Sequence, residues 1–169
     1  MHNTKIPESE VSPIEIGIPA EQRADVCSRL ASVLADQHVL YIKMRSFHWN
    51  LVGERFYTLH EFYEKQYTEL EKSIDETAER IRQLGGVAPG SMSEFLDLSS
   101  LNEAAGELIE GEDSIVALVG DHEKVIRNLR EYIGFVEDKG DMGTADFMTS
   151  LLQSHEEMAW MLRSFVRKA

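Results

Sequence analysis

The chain has 169 residues, 43% hydrophobic and 28% charged, the size and balance of one globular domain rather than of a disordered or membrane-spanning chain. With 17 basic against 30 acidic residues the net charge is −13, a field that repels a phosphate backbone and attracts cations, so metal ions are better expected partners than nucleic acid. Cys27 is the only cysteine, which excludes a disulfide framework and a cysteine-rich zinc site. Residues 1–8 lack the apolar stretch of a secretory signal and no apolar run reaches membrane-spanning length, so a cytoplasmic protein with no membrane partner is expected.

Residues 1–19 hold Pro7, Pro13 and Pro19 with Glu8, Glu10 and Glu15 against Lys5, the composition of an extended, solvated N-terminal tail. The domain is expected over 20–169. From Glu21 to about Leu51, apolar residues at Leu30, Leu34, Tyr41, Met44, Phe47 and Leu51 recur at three- and four-residue spacing, which predicts a long helix ended by Gly53. A second helix is predicted from Tyr57 to Leu84 through Leu59, Tyr63, Tyr67, Leu70, Ile74 and Ile81, stopped by Gly85-Gly86. The stretch from Gly85 to about Ala105 is too long for a tight turn and carries a short helix at Ser93 to Leu98. A third long helix fits Glu107 to about Glu137 and a fourth Thr144 to Arg167, with no convincing strand anywhere. Short connections make helices one and two, and three and four, antiparallel pairs. The long middle connection can cross the length of a bundle, so the fold class is all-α, a ferritin-like four-helix bundle with one crossover carrying a short extra helix.

Several motifs are absent. There is no glycine-rich phosphate loop, no Cys-x-x-Cys, and no His-Glu-x-x-His, because Glu64 stands where the second histidine after His60 belongs. The two Glu-x-x-His motifs of a di-iron site in the bundle core are missing too: the residues three before His38, His48, His60, His122 and His155 are Ala35, Arg45, Tyr57, Val119 and Leu152. His122 and His155 fall on the apolar stripes of helices three and four and read as satisfied core histidines.

The second helix offers a different pattern. At about 100° per residue, His60, Glu64, Asp75 and Glu79 fall within one stripe about 100° wide, with the apolar residues on the other side. Plain solvent exposure accounts for such a stripe. Its spacing carries more: Glu64 and Asp75 are about 16 Å apart along the axis, too far for one chain to close a metal site with both. If two copies of the helix pack antiparallel across a two-fold axis, residues whose numbers have a constant sum face each other. His60 with Glu79 and Glu64 with Asp75 share that sum, so two equivalent clusters would form in an isologous dimer. His48, at the end of the first helix, could complete each one. Two imidazoles and three carboxylates suit iron(II) or zinc and tolerate iron(III).

The segment from Lys43 through Phe47-His48-Trp49-Asn50 to Gly53, with Phe56, Leu59-His60-Glu61-Phe62, Asp75-x-x-x-Glu79-Arg80 and Met158-Ala159-Trp160, resembles the DNA-protection-during-starvation (Dps) family of ferritin-like proteins over residues 20–169. The resemblance implies a spherical, hollow homododecamer that oxidises iron(II), preferentially with hydrogen peroxide, at a ferroxidase centre between two-fold-related subunits and stores iron(III) mineral. Carried over, His48, His60 and Glu64 come from one subunit and Asp75 and Glu79 from its partner, with Glu79 bridging. Glu64 departs from the family's usual aspartate by one methylene, which bears on whether one or two metals bind. Trp49 and Trp160 are implied to intercept oxidising radicals, with packing as the alternative. At the turn before the fourth helix, Asp141 and Asp146 are either helix-capping acids or, by resemblance, the lining of a negative three-fold pore for iron. Two other functions stay open. One is DNA binding, expected to be weak or absent because residues 1–19 carry one lysine and three glutamates; the other is buffering of zinc or iron in the same ligands without rapid oxidation.

Overall fold

The computed structural model describes residues 14–166. In chain order its elements are α1 (Ala20–Asn50), β1 (Leu51–Val52), α2 (Phe56–Gln83), α3 (Met92–Leu98), β2 (Ile109–Glu110), α4 (Gly111–Asp138) and α5 (Met142–Val166). The four long helices form the expected bundle. Helix α1 packs on α2, and the pairs His48 with His60 and Gln37 with Ser73 show that the two run antiparallel. Helix α4 packs on α5 in the same sense, tied by Glu123 to Arg163 and by Arg130 to Glu156. Leu30, Leu34, Leu40 and Met44 of α1 meet Leu59, Leu70 and Ile81 of α2 and Ile115, Leu118 and Leu129 of α4 in one fully buried core. Among the described residues no helix is long and apolar enough to cross a membrane.

Two strands that the sequence pattern does not announce join the start and end of the crossover. Leu51 pairs with Ile109 and Val52 with Glu110 in a parallel ladder, which delays the start of α4 to Gly111 from the expected Glu107. Two residues are too few to show a strand period, and their partners lie on the far side of the crossover. The turn after β1 requires glycine at 53: its φ is +98°, and a Cβ there would stand 2.5 Å from Glu110 Oε2.

The crossover is anchored by one buried carboxylate. Helix α3 starts with a capping box in which the Ser91 side chain accepts from the Glu94 N–H while Glu94 Oε2 accepts from the Ser91 N–H. Phe95 then stacks on His38 with ring centres 3.8 Å apart. Just beyond α3, Asp36 of α1 accepts from Ser99 Oγ at 2.8 Å, Ser100 N at 2.6 Å, Ser100 Oγ at 3.0 Å and Asn128 Nδ2 at 3.2 Å. Asp36 therefore ties α1 to both the crossover and α4. Replacing it by alanine leaves buried donors unmatched and should lower stability by about 3 kcal/mol, seen as a lower urea midpoint at unchanged slope. An unshifted midpoint would mean the crossover is held by apolar packing alone.

The expected N-terminal tail lies outside the described residues up to residue 13. Residues 14–19 are tied down: buried Arg23 donates to the carbonyls of Ile14 at 3.0 Å and Ile18 at 2.6 Å, and to that of Leu84 at 3.1 Å.

Candidate metal centre

His48 sits two residues before the end of α1 and His60 in the second turn of α2, so the short turn between the helices brings them together. Their rings stack with centres 3.7 Å apart and planes 16° apart. Each ring bonds to the other residue's backbone: His48 Nδ1 to the His60 carbonyl at 2.7 Å and His60 Nδ1 to the His48 carbonyl at 2.8 Å. A carbonyl oxygen only accepts, so both Nδ1 atoms carry the proton. Both Nε2 atoms are thereby left with free lone pairs, the tautomer a metal-binding imidazole needs. Phe56 stacks on the other face of His60 at 5.1 Å, and Tyr67 meets the His48 ring edge-on at 5.4 Å.

Glu64, Asp75 and Glu79 follow along α2, all exposed. None of the three forms an ion pair among the described residues. Within one chain, no group of three or more His, Cys, Asp or Glu side chains among the described residues is gathered tightly enough to hold a metal. The structure thus brings His48 to His60 and leaves the carboxylates spread along an open helix face.

The remaining expected residues lie apart. Trp49 is 62% exposed beside His48, with the Arg45 guanidinium carbon 5.1 Å from its ring centre. Trp160 is 61% exposed on α5 and lines a different surface hollow with Arg163, Ser164 and Val166. Of the two alternatives for Asp141, the structure shows the capping one. This side chain is buried, its Oδ1 accepts from the Thr144 N–H at 3.0 Å and from Arg80 Nη2 at 3.2 Å, and its Oδ2 accepts from Thr144 Oγ1 at 2.5 Å. It caps α5, as the pattern Asp141-x-x-Thr144 allows. Asp146 is exposed on the first turns of α5.

His122 and His155 are fully enclosed in the core and are each other's partner, Nδ1 to Nδ1 at 2.9 Å, while His122 Nε2 meets no partner. They are core histidines as expected, satisfied through each other at Nδ1, with His122 Nε2 the atom left without a partner. Burial pushes His155 down to about 4; His122 lies well below its ordinary value because of burial and then the adjacent His155.

Tyr41, Arg45 and Tyr67 were not singled out as site residues from the sequence. Arg45 and Tyr41 lie one and two helical turns before His48, and Tyr67 two turns after His60, so helical periodicity was the signal that could have found them.

The bundle with its single crossover, matched over residues 27–169 by the ferritin-like domain family, makes this a ferritin-like protein. A DNA protection during starvation protein of Bacillus anthracis is 39% identical over 136 residues, covering 80% of this chain and 92% of the relative. The chain belongs to the Dps family of mini-ferritins. It is also similar to an uncharacterised low-temperature-induced protein of Nostoc sp., at 46% identity over 154 residues covering 90% of this chain and 86% of the relative. The crystal structure of the Dps protein of Vibrio cholerae O1, described as a member of a broad superfamily of ferritin-like diiron-carboxylate proteins, superposes with a TM-score of 0.87 at 30% identity, covering 91% of this chain and 96% of that one.

Proposed function

We propose that this protein is a ferroxidase and iron-storage protein that takes iron(II) as substrate, oxidises it preferentially with hydrogen peroxide, and keeps the iron(III) product as mineral inside a dodecameric shell. The observation that carries the reading is the reciprocal His48–His60 pair, two imidazoles locked with both Nε2 lone pairs free, with His60 on the same face of α2 as three exposed carboxylates that form no ion pair among the described residues. Family membership supports it through the diiron-carboxylate description of the Vibrio cholerae relative.

The centre is completed by a second subunit. With α2 antiparallel to its two-fold mate, His48, His60 and Glu64 of one subunit meet Asp75 and Glu79 of the other, and the same contact recurs on the far side of the axis. The exposed aromatic groups beside the stripe, Trp49, Phe56 and Tyr57, are what such a mate would cover. Closing the contact excludes water from one side of the imidazoles and sets five ligands around the substrate ion.

The imidazoles bind iron(II) without adding charge, and the carboxylates supply the negative charge that favours the iron(III) product. Two iron(II) ions give one electron each to one peroxide, which with two protons becomes two waters. Pairing the electrons avoids release of hydroxyl radical, and Trp49 is placed to intercept any that forms. Anaerobic protein given iron(II) and then peroxide should consume two iron(II) per peroxide and turn amber. One iron(II) per peroxide, with hydroxylation of an added aromatic trap, would contradict the pairing. Uptake of zinc or iron(II) with no amber colour would instead favour a metal buffer.

Direct DNA binding stays weak in this reading, because the net charge is −13 and residues 1–19 add no basic arm. Asp146 remains a lining residue for a pore that admits iron, without Asp141.

A further inference from the structure

The end of the crossover touches both arms of the histidine pair. The β1–β2 ladder holds Leu51 and Val52, the third and fourth residues after His48, to Ile109 and Glu110. Helix α4 begins at once with Gly111, and its first turn lies against the start of α2. It meets α2 on both sides of His60 in the chain. A Cβ at Gly111 would stand 2.8 Å from Leu59 Cδ1 and 3.7 Å from Arg55 Cβ, an approach that glycine alone allows without displacement. One turn further along α2, the Tyr63 hydroxyl lies 2.6 Å from Ser114 Oγ. Ser114 donates its one hydroxyl proton to the Gly111 carbonyl at 2.8 Å, so Tyr63 is the donor between the two hydroxyls. Burial pushes the Tyr63 hydroxyl up to about 12, which keeps that proton in place. Leu59, Tyr63 and Ser114 are all fully buried.

These contacts supply what the histidines cannot supply themselves. Each imidazole is oriented by the backbone carbonyl of the other residue, so each is only as well placed as the main chain of its neighbour. Those main chains belong to two helices joined by a short turn. Residues 109–114 grip the chain just after His48 through the ladder, and the stretch of α2 that carries His60 through Gly111 and Ser114. One rigid segment therefore sets the spacing of the two carbonyl contacts. In a close-packed interior a displaced side chain moves its neighbours, so a methyl group at 111 shifts Leu59 and, with it, the adjoining backbone of His60.

We propose that residues 109–114 are a positioning bracket for the metal centre, in which Gly111 and Ser114, acting through Leu59 and Tyr63, keep His60 in register with His48. The proposal rests on the iron-site reading above. All four residues act through the imidazoles and not on the ion. Groups that orient metal ligands at one remove change affinity by about tenfold or more when altered, and a loss of about tenfold is expected here.

Cobalt(II), added without peroxide, is the probe, because its visible absorption reports both binding and ligand geometry. The assembled wild type and variants are titrated by absorbance and calorimetry, with urea midpoints measured alongside. Gly111→Ala should bind cobalt about tenfold more weakly, and adding Leu59→Val, which removes the Cδ1 atom, should restore most of the loss. The Tyr63→Phe, Ser114→Ala double variant deletes the hydrogen bond without adding an atom. It should show a loss of the same order, and it carries the test if Gly111→Ala fails to assemble. Leu129→Ala, a core truncation about four turns beyond Ser114 on α4, should lower the urea midpoint yet bind cobalt like the wild type. Wild-type affinity in Gly111→Ala or in the double variant, no recovery with Leu59→Val, or an equal loss in Leu129→Ala overturns the proposal. A wild type that takes up no cobalt, or a His60→Ala variant with undiminished uptake, overturns the iron-site reading and the bracket with it.

Discussion

A variant with both His48 and His60 replaced by alanine should still assemble, yet lose fast peroxide-driven oxidation of iron(II) by about a hundredfold or more in stopped-flow absorbance. The fold should survive because the two rings stack on each other near the turn between α1 and α2 and neither belongs to the apolar core. The single variants are expected to be milder. Each ring is oriented by the backbone carbonyl of the other residue, which alanine keeps, so removing one imidazole costs one ligand and leaves its neighbour aimed. Unaltered kinetics in the double variant would refute the assignment of both.

The second large effect lies in the core and concerns acid. His122 and His155 are neutral in the folded protein, both held below the ordinary histidine value by burial, His155 at about 4. An unfolded imidazole takes up its proton near 6.5, so the unfolded chain binds more protons than the native one as pH falls below that value. The stability tied to the pair is fully present above about pH 6.5 and is lost as pH drops toward 4. For His155 alone the loss is about 3 kcal/mol over that window, and where both titrate only in the unfolded state the unfolding constant rises about a hundredfold per pH unit. Among the described residues no carboxylate bonds to the pair to offset this: Asp121 turns to Lys43, Glu123 to Arg163 and Glu156 to Arg130, while Gln66 of α2 bonds the Met158 carbonyl. Urea midpoints measured from pH 7 to pH 4 should fall steadily in the wild type and much less in a His122→Leu, His155→Leu double variant, in which both partners become apolar together. Parallel curves for the two proteins would show that other groups govern the acid response.

The four long helices were readable because each buries one apolar stripe, so α1 and α2 begin and end within a residue of where periodicity set them. The start of α4 was misjudged because Leu108 and Ile109 continue the apolar spacing while Ile109 and Glu110 are in fact held in a strand pair, a contact between distant segments that no local pattern encodes. The polar stripe of α2 was legible for the same reason as the core: four residues on one helix share a face whatever surrounds them. Which nitrogen of each imidazole is free was not legible, since it depends on carbonyls that meet the rings only after α1 and α2 pack. Asp141 had a local signal as a cap, whereas its contact with Arg80 needed α2 beside the start of α5. The same packing explains why the aromatic surroundings of Arg45 were not legible: they draw on Tyr41 and Trp49 from its own helix but also on Tyr67 from the next.

The claim on which all of this depends is that each centre is shared between two subunits, and mixed shells test it most directly. Subunits carrying His48→Ala and His60→Ala, and subunits carrying Asp75→Ala and Glu79→Ala, should each be inactive alone. Refolded together in equal amounts, they should regain about a quarter of wild-type ferroxidase activity, because half of the two-fold pairs are then mixed and each mixed pair holds one intact centre. Mixed shells as inactive as their parents would show that all the ligands must come from one chain.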